Sequence, residues 1–229
     1  ASRLDLGRLR SLAMHLPIPA KVHGMLAKTQ PTGVLKDVKA MLRLQNDEIA
    51  DYDAQGAFKG VSGRSEDGTS FVRNLTGKLD VNRGHGNLVL DSTGAVLATP
   101  GILPVNEVPL TELSGKISWQ RDADALSVKV KSLQLRNDDL TATVNGRWSG
   151  KLGADVSERD RAGHIDMKIL FDEAKTTSAW KYVPLSASPD ISAWMKGAIA
   201  DGSVSDFRIE MAGPVWDMPY GSPVPGSAP

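Results

Sequence analysis

Along most of this chain apolar and polar residues alternate with a period of two, the repeat of a β-strand that buries one face and wets the other. Val38, Ala40, Leu42 and Leu44 alternate with Lys39, Met41 and Arg43, and Tyr52, Ala54 and Phe58 with Asp53, Gln55 and Lys59. Phe71, Leu75, Leu79 and Val81 stand against a polar set that includes Asn74, Thr76, Lys78 and Asp80. The pattern returns in Leu113, Ile117 and Trp119, in Leu126, Val128 and Val130, and in Leu140, Ala142, Val144 and Trp148. It closes with Ile165, Met167, Ile169 and Phe171, then Phe207, Ile209 and Met211. Turn-forming residues separate these blocks at Asn46-Asp47, Arg83-Gly84-His85-Gly86, Ser92-Thr93-Gly94 and Asn137-Asp138. Such short links join antiparallel neighbours, so the pattern predicts a mainly β, antiparallel fold of about nine strands.

Helices are expected to be few, around Leu9 to Leu16, Pro19 to Lys28, Thr176 to Val183 and Pro189 to Ala200. In the last, Ser188 is placed to cap, Pro189 suits the first helical position, and Gly202 lies just past the end. Ile191, Trp194, Met195, Ala198 and Ile199 form an apolar stripe that would seat this helix on the sheet.

The helix-pair-then-strand segment near the start recurs near the end. His15-Leu16-Pro17, Met25-Leu26, Gly33 and Asp37-Val38 match Tyr182-Val183-Pro184, Trp194-Met195, Gly202 and Asp206-Phe207, with a two-residue insertion before a constant offset. A shorter likeness pairs Leu42 to Asp47 and Gly56 to Gly60 with Leu133 to Asp138 and Gly146 to Gly150; hairpins in general share this much. A recurring unit implies an extended array rather than two separate domains.

Charge narrows the partners. Twenty-seven basic residues balance 27 acidic ones, so composition offers nucleic acid or an anionic surface no long-range attraction, and nucleic acid is not expected as a partner. The absence of cysteine removes disulfides and thiolate chemistry while fitting either cytoplasm or periplasm. No apolar run is long enough to span a bilayer, and the Gly221 to Pro229 stretch has the composition of a disordered end, so the chain reads as an excised segment.

Catalytic chemistry finds no footing. His15, His23, His85 and His164 have no partners at triad or metal-ligand spacing, and Gly84-His85-Gly86 lacks the following helix of a phosphate loop. The acidic residues at Asp47-Glu48, Asp51, Asp53 and Asp138-Asp139 lack the spacing of a calcium loop. Neither an enzyme nor a cofactor or metal is expected. What remains is a large apolar face that something must cover. On pattern alone, closure into a barrel or sandwich is the favoured answer; the other is an open sheet whose trough holds acyl chains.

One set of signposts shifts that balance. Ala179-Trp180-Lys181-Tyr182-Val183-Pro184, then Ala193-Trp194-Met195-Lys196-Gly197, then the strand from Phe207 to Gly213 ending in Trp216-Asp217-Met218-Pro219-Tyr220, resemble the YhdP-type branch of the AsmA-like family of Gram-negative bacteria. Gly115 to Trp119 and Leu133 to Asp138 match the style of its strand pairs. Val183 and Met195 replace the family's leucines, and Met218-Pro219-Tyr220 lacks its phenylalanine. The resemblance implies an extended, curved antiparallel sheet with short helices at the repeat junctions, forming a groove that carries phospholipid between inner and outer membrane. It implies no catalytic residues. Its protein would lie in the periplasm, anchored in the inner membrane by parts outside this segment.

On that resemblance the groove lining is drawn from Val38, Leu42, Phe58, Leu75, Leu79, Ile117, Trp119, Val128, Val130, Val144, Trp148, Ile165, Met167, Ile169, Phe207 and Ile209, with phospholipid acyl chains as the partner. Residues 1–34 would form a helical junction, 35–174 the sheet of one unit, 175–218 the helix pair and first strand of the next, and 219–229 a disordered tail. The competing expectation is a scaffold in envelope assembly that holds no lipid.

Overall fold

The computed structural model describes residues 3–13, 20–45, 48–65, 68, 71–153, 155–185 and 189–218. Ten strands form one antiparallel sheet whose spatial order is the order of the chain. They are β1 (Arg3–Asp5), β2 (Thr32–Gln45), β3 (Glu48–Arg64), β4 (Phe71–Asn82) and β5 (His85–Ala98), then β6 (Glu107–Asp122), β7 (Ala125–Arg136), β8 (Leu140–Lys151), β9 (His164–Lys175) and β10 (Ser203–Pro214). β1 and β10 lie at opposite edges, so the sheet is open and curved, the extended β fold expected, and neither the barrel nor the sandwich favoured by alternation alone.

The helices stand at strand ends. α1 (Leu6–Ala13) and α2 (Ala20–Thr29) lead into β2, while a 3₁₀ segment (Thr176–Tyr182) and α4 (Pro189–Ala198) join β9 to β10. All occupy one rim, which we call upper, together with the β5–β6 and β7–β8 connections. On the lower rim α3 (Glu158–Ala162) fills the β8–β9 connection. Its Ser157 cap accepts a hydrogen bond from the Asp160 amide, a signal readable as Ser-x-x-Asp but passed over in a five-residue helix. Thr176–Tyr182 is 3₁₀ rather than α: no side chain caps it, and Ser178, Lys181 and Tyr182 are drawn to the β7–β8 turn instead. His15-Leu16-Pro17, Asn46-Asp47, Ser188, the Ile191 side chain and the tail from Pro219 lie outside the described residues. Trp194 is exposed, so the expected α4 stripe does not lie flat on the sheet; α4 meets the 3₁₀ segment, with Lys196 stacked 4.7 Å from the Trp180 ring.

Ser92-Thr93-Gly94 is not a turn. β5 runs through it, with Gly94 at φ 67°, and the inward set changes there from Leu88, Leu90 and Ser92 to Ala95 and Leu97. Comparable irregularities cross the sheet at Asp37, Gly60, Asn74, Ser132 and Asp206, all with positive φ. A displaced backbone amide needs a new acceptor, and at four positions a neighbouring side chain supplies it. The Gly60 amide donates to Thr76 Oγ1 (3.3 Å), the Thr76 amide to Ser92 Oγ (2.9 Å), the Asn74 amide to Ser62 Oγ (3.1 Å) and the Ser132 amide to Asn145 Oδ1 (2.8 Å). This is why Ser92, almost wholly buried, is polar: its hydroxyl also donates to the Thr76 carbonyl at 3.0 Å. Such bulges bend strands, and so shape the face that the rest of the sheet presents.

Buried apolar residues are few. Among those described they are Leu90, Ala95, Val108, Leu110, Leu113 and Ala142, on β5, β6 and β8 and, apart from Leu90 near the middle of β5, on the upper half of their strands. Leu103 and Val105 from the β5–β6 loop and Tyr182 from the 3₁₀ segment pack on this cluster. The Leu185 amide donates to the Ile102 carbonyl at 2.8 Å, tying the segment after the 3₁₀ turn to the loop. A short roof thus covers part of one face.

Candidate functional site

Cross-strand partners point to the same side of a sheet, so the register decides which side chains share a face. One row runs Ala54, Val81, Gly86, Trp119, Val128, Trp148, Ile165, Gly213 from β3 to β10. The next runs Gly56, Leu79, Leu88, Ile117, Val130, Gly146, Met167, Met211. Nearer the upper rim, Phe58, Gly77, Leu90 and Gly115 are followed past the β7 bulge by Leu133, Val144, Ile169 and Ile209. The next row up holds Val61 with Leu75, then Ser92, Leu113, Leu135, Ala142, Phe171 and Phe207, and on β5 and β6 the pairs Ala95 with Leu110 and Leu97 with Val108 lie above it. In β2, Leu42 faces Tyr52 and Ala40 faces Ala54; Val38 shares their side by alternation.

Every residue singled out from the sequence as groove lining therefore projects from the same face. Leu88, Leu90 and Leu97 of β5 share this face too, hidden in the sequence because Gly86, Ser92 and Gly94 interrupt the alternation. The register adds Leu133, Leu135 and Met211.

Two tryptophans shape the lower half. Trp119 lies across Gly86 of the neighbouring strand, and Trp148 across Gly150 of its own, where an added Cβ would come within 2.5 Å of the indole. The Trp148 Nε1–H donates to the Ala162 carbonyl at 2.8 Å, fixing the ring against α3. Glycine opposite each ring lets a bulky side chain lie flat along the face instead of standing out of it.

Among the described residues the buried apolar side chains gather at the roofed patch. Away from it the apolar side chains are half-buried against one another, and towards the edges Leu42 is 53% and Phe207 49% exposed. Phe207 stacks obliquely on Phe171, with centroids 5.9 Å apart. The opposite face carries Lys39, Arg43, Asp53, Gln55, Lys78, Asp80, Lys116, Lys129, Arg147 and Lys168, and is wet throughout.

The roof is held by one carboxylate. Asp139, in the β7–β8 turn, accepts hydrogen bonds from Ser178 Oγ (2.8 Å), Lys181 Nζ (2.8 Å) and the Tyr182 hydroxyl (3.0 Å), while Asn137 Nδ2 donates to the Tyr182 oxygen (2.8 Å). Partial burial pushes the Asp139 carboxyl up, but these three donors, Lys181 foremost, outweigh it and hold the group below its ordinary value. Burial, with the neighbouring carboxylate, pushes the Tyr182 hydroxyl up to about 12 against the Asn137 hydrogen bond.

No three of the described histidine, aspartate and glutamate residues gather as a metal site. His85 Nε2 lies 3.2 Å from Asn82 Nδ2 within its turn, and His164 is exposed at the start of β9. Among the described residues, no helix is long and apolar enough to cross a membrane. The arrangement offers a long apolar surface and, at Asp139, a structural tie.

Comparison with curated proteins and with solved structures finds no match. The family model described as YhdP protein matches residues 1–225, nearly the whole of the sequence. An open, one-faced meander with helix pairs at its strand ends and a family match of this extent agree, and the chain belongs to the YhdP protein family.

Proposed function

We propose that this chain is a non-enzymatic segment of a periplasmic, inner-membrane-anchored protein whose apolar sheet face carries phospholipid acyl chains between the two membranes. The observation that supports this reading is the mismatch between apolar surface and apolar cover. Nine strands contribute to one apolar face, yet among the described residues the buried apolar ones lie in and beside the patch around Leu90 and Leu113. A surface of that kind marks a binding site when it exceeds a few hundred Å².

The rows run across the strands, so ten strands at a spacing of ~4.8 Å give a path of roughly 40 Å. An acyl chain laid along it gains about 0.8 kcal/mol for each methylene removed from water, while its headgroup stays hydrated at the open side. Because the rows contain no charged side chain and several glycines, sliding along them meets no deep trap. Transport of this kind is passive, and its direction is set at the ends of the path.

Native mass spectrometry of the gently purified chain tests the reading, with Val128→Asp and Ser127→Asp compared as neighbours on opposite faces. Bound phospholipid in the parent and in Ser127→Asp, lost in a Val128→Asp protein whose circular dichroism is unchanged, is the expected result. A folded parent free of lipid, or equal loss in both variants, would replace the groove with an envelope scaffold.

A further inference from the structure

The chain's charges balance overall, yet the register segregates them on the polar face. Lys116 of β6 stands directly opposite Lys131 of β7, and Lys129 of β7 directly opposite Arg147 of β8. Like charges placed in this way repel and destabilise a sheet, so two adjacent like-charged pairs are not what stability alone would produce. Among the described residues none of the four makes an ion pair, and all are exposed. Asp166 faces Arg147 across the strands without closing a salt bridge to it, and Lys168 is already engaged by Glu210 at 2.9 Å.

Geometry gathers three of the four, Lys129, Lys131 and Arg147, with Lys116 on the next strand beside them. The Ser132 bulge, held by Asn145 Oδ1, interrupts the β7–β8 ladder beside Lys131. A shallow depression of about 530 Å³ lies here, lined by Lys129, Lys131, Asn145, Arg147, Asp166 and Lys168. Neighbouring positions are about 5 Å apart across strands and about 7 Å along one, so several cations converge on a single small anion.

We propose that this depression is a binding site for a compact group bearing two or more phosphates. It lies on the face opposite the apolar rows and does not depend on their occupancy. Clustered phosphates match the site because each cation finds its own oxygen and the internal repulsion is relieved. A single phosphate neutralises only part of the cluster, and the small area does not track a long polyanion such as nucleic acid.

Isothermal titration of the whole chain with sodium tripolyphosphate at low ionic strength tests it. Saturable binding is expected, weakened at least about tenfold in Lys131→Glu/Arg147→Glu and at least about tenfold weaker for orthophosphate. Lys36→Glu/Lys39→Glu, altered on the same face but on β2, five strands from β7, should bind like the parent. Failure to saturate, or equal weakening in both double variants, would overturn the site. Sedimentation with phosphatidylcholine vesicles containing diacylglycerol pyrophosphate, whose headgroup carries two linked phosphates, then separates the sources. Vesicle binding lost in Lys131→Glu/Arg147→Glu assigns the phosphates to a lipid headgroup, and tripolyphosphate binding without it assigns them to a soluble ligand.

Discussion

Asp37 of β2 and Asp206 of β10, 169 positions apart, both adopt a left-handed backbone, at φ 51° and 56°. Gly33 and Gly202, at the same separation, share φ 116° and 128°, and α2 and α4 begin and end at that offset too. Sequence repetition therefore extends to an unusual backbone state, which aspartate tolerates better than most residues because its short side chain bonds locally.

Glycine relieves the left-handed strain, whereas a β-branched residue aggravates it. Asp37→Val and Asp206→Val should each lose about 1–2 kcal/mol in urea unfolding, while the glycine variants stay near the parent or gain slightly. A large loss at one site alone would mean that the two bulges are not equivalent.

Gly86 is closed to any side chain by the Trp119 ring. Gly86→Ala should displace the indole, altering its near-ultraviolet circular dichroism and costing about 1–3 kcal/mol. Gly24→Ala, where an added Cβ meets nothing within 4 Å, should do neither.

The tie at Asp139 has a pH signature at both ends. A carboxyl held below its ordinary value contributes stability that is full above the unfolded value near pH 4 and fades as pH falls through the folded one. The Tyr182 hydroxyl, raised to about 12, contributes stability that is full below about pH 10 and fades as pH climbs towards 12. Asp139→Asn should remove the acid-side slope, visible in the pH dependence of the melting temperature, and expose Tyr182 to solvent quenchers.

Cover predicts protection. Backbone amides of β5 and β6 beneath Leu103, Val105 and Tyr182 should exchange most slowly with deuterium, and those of β2 and β10 fastest among the long strands. Uniform protection would mean that the roof adds nothing to local stability.

Much of this architecture was legible because a period of two states both the strand and its faces. Trp119, Val128, Trp148 and Ile165 could be assigned to one side before their strands were paired. β5 was obscured where glycine admits a neighbouring ring at Gly86 and where Ser92 serves a bulge, since both break the apolar count for reasons that lie in adjacent strands. The roof was less visible still: Leu103, Val105 and Tyr182 belong to connections with no period, and their partner Asp139 looks in sequence like any acidic turn residue.

Each long strand pairs with its immediate neighbours in the chain, and this order governs assembly as well as shape. No distant segments need to meet before hydrogen bonding begins, so the entropic toll of closing long loops, which slows most all-β proteins, is largely absent. A chain emerging from one end can lay down hairpin upon hairpin, each new strand finding its template already in place.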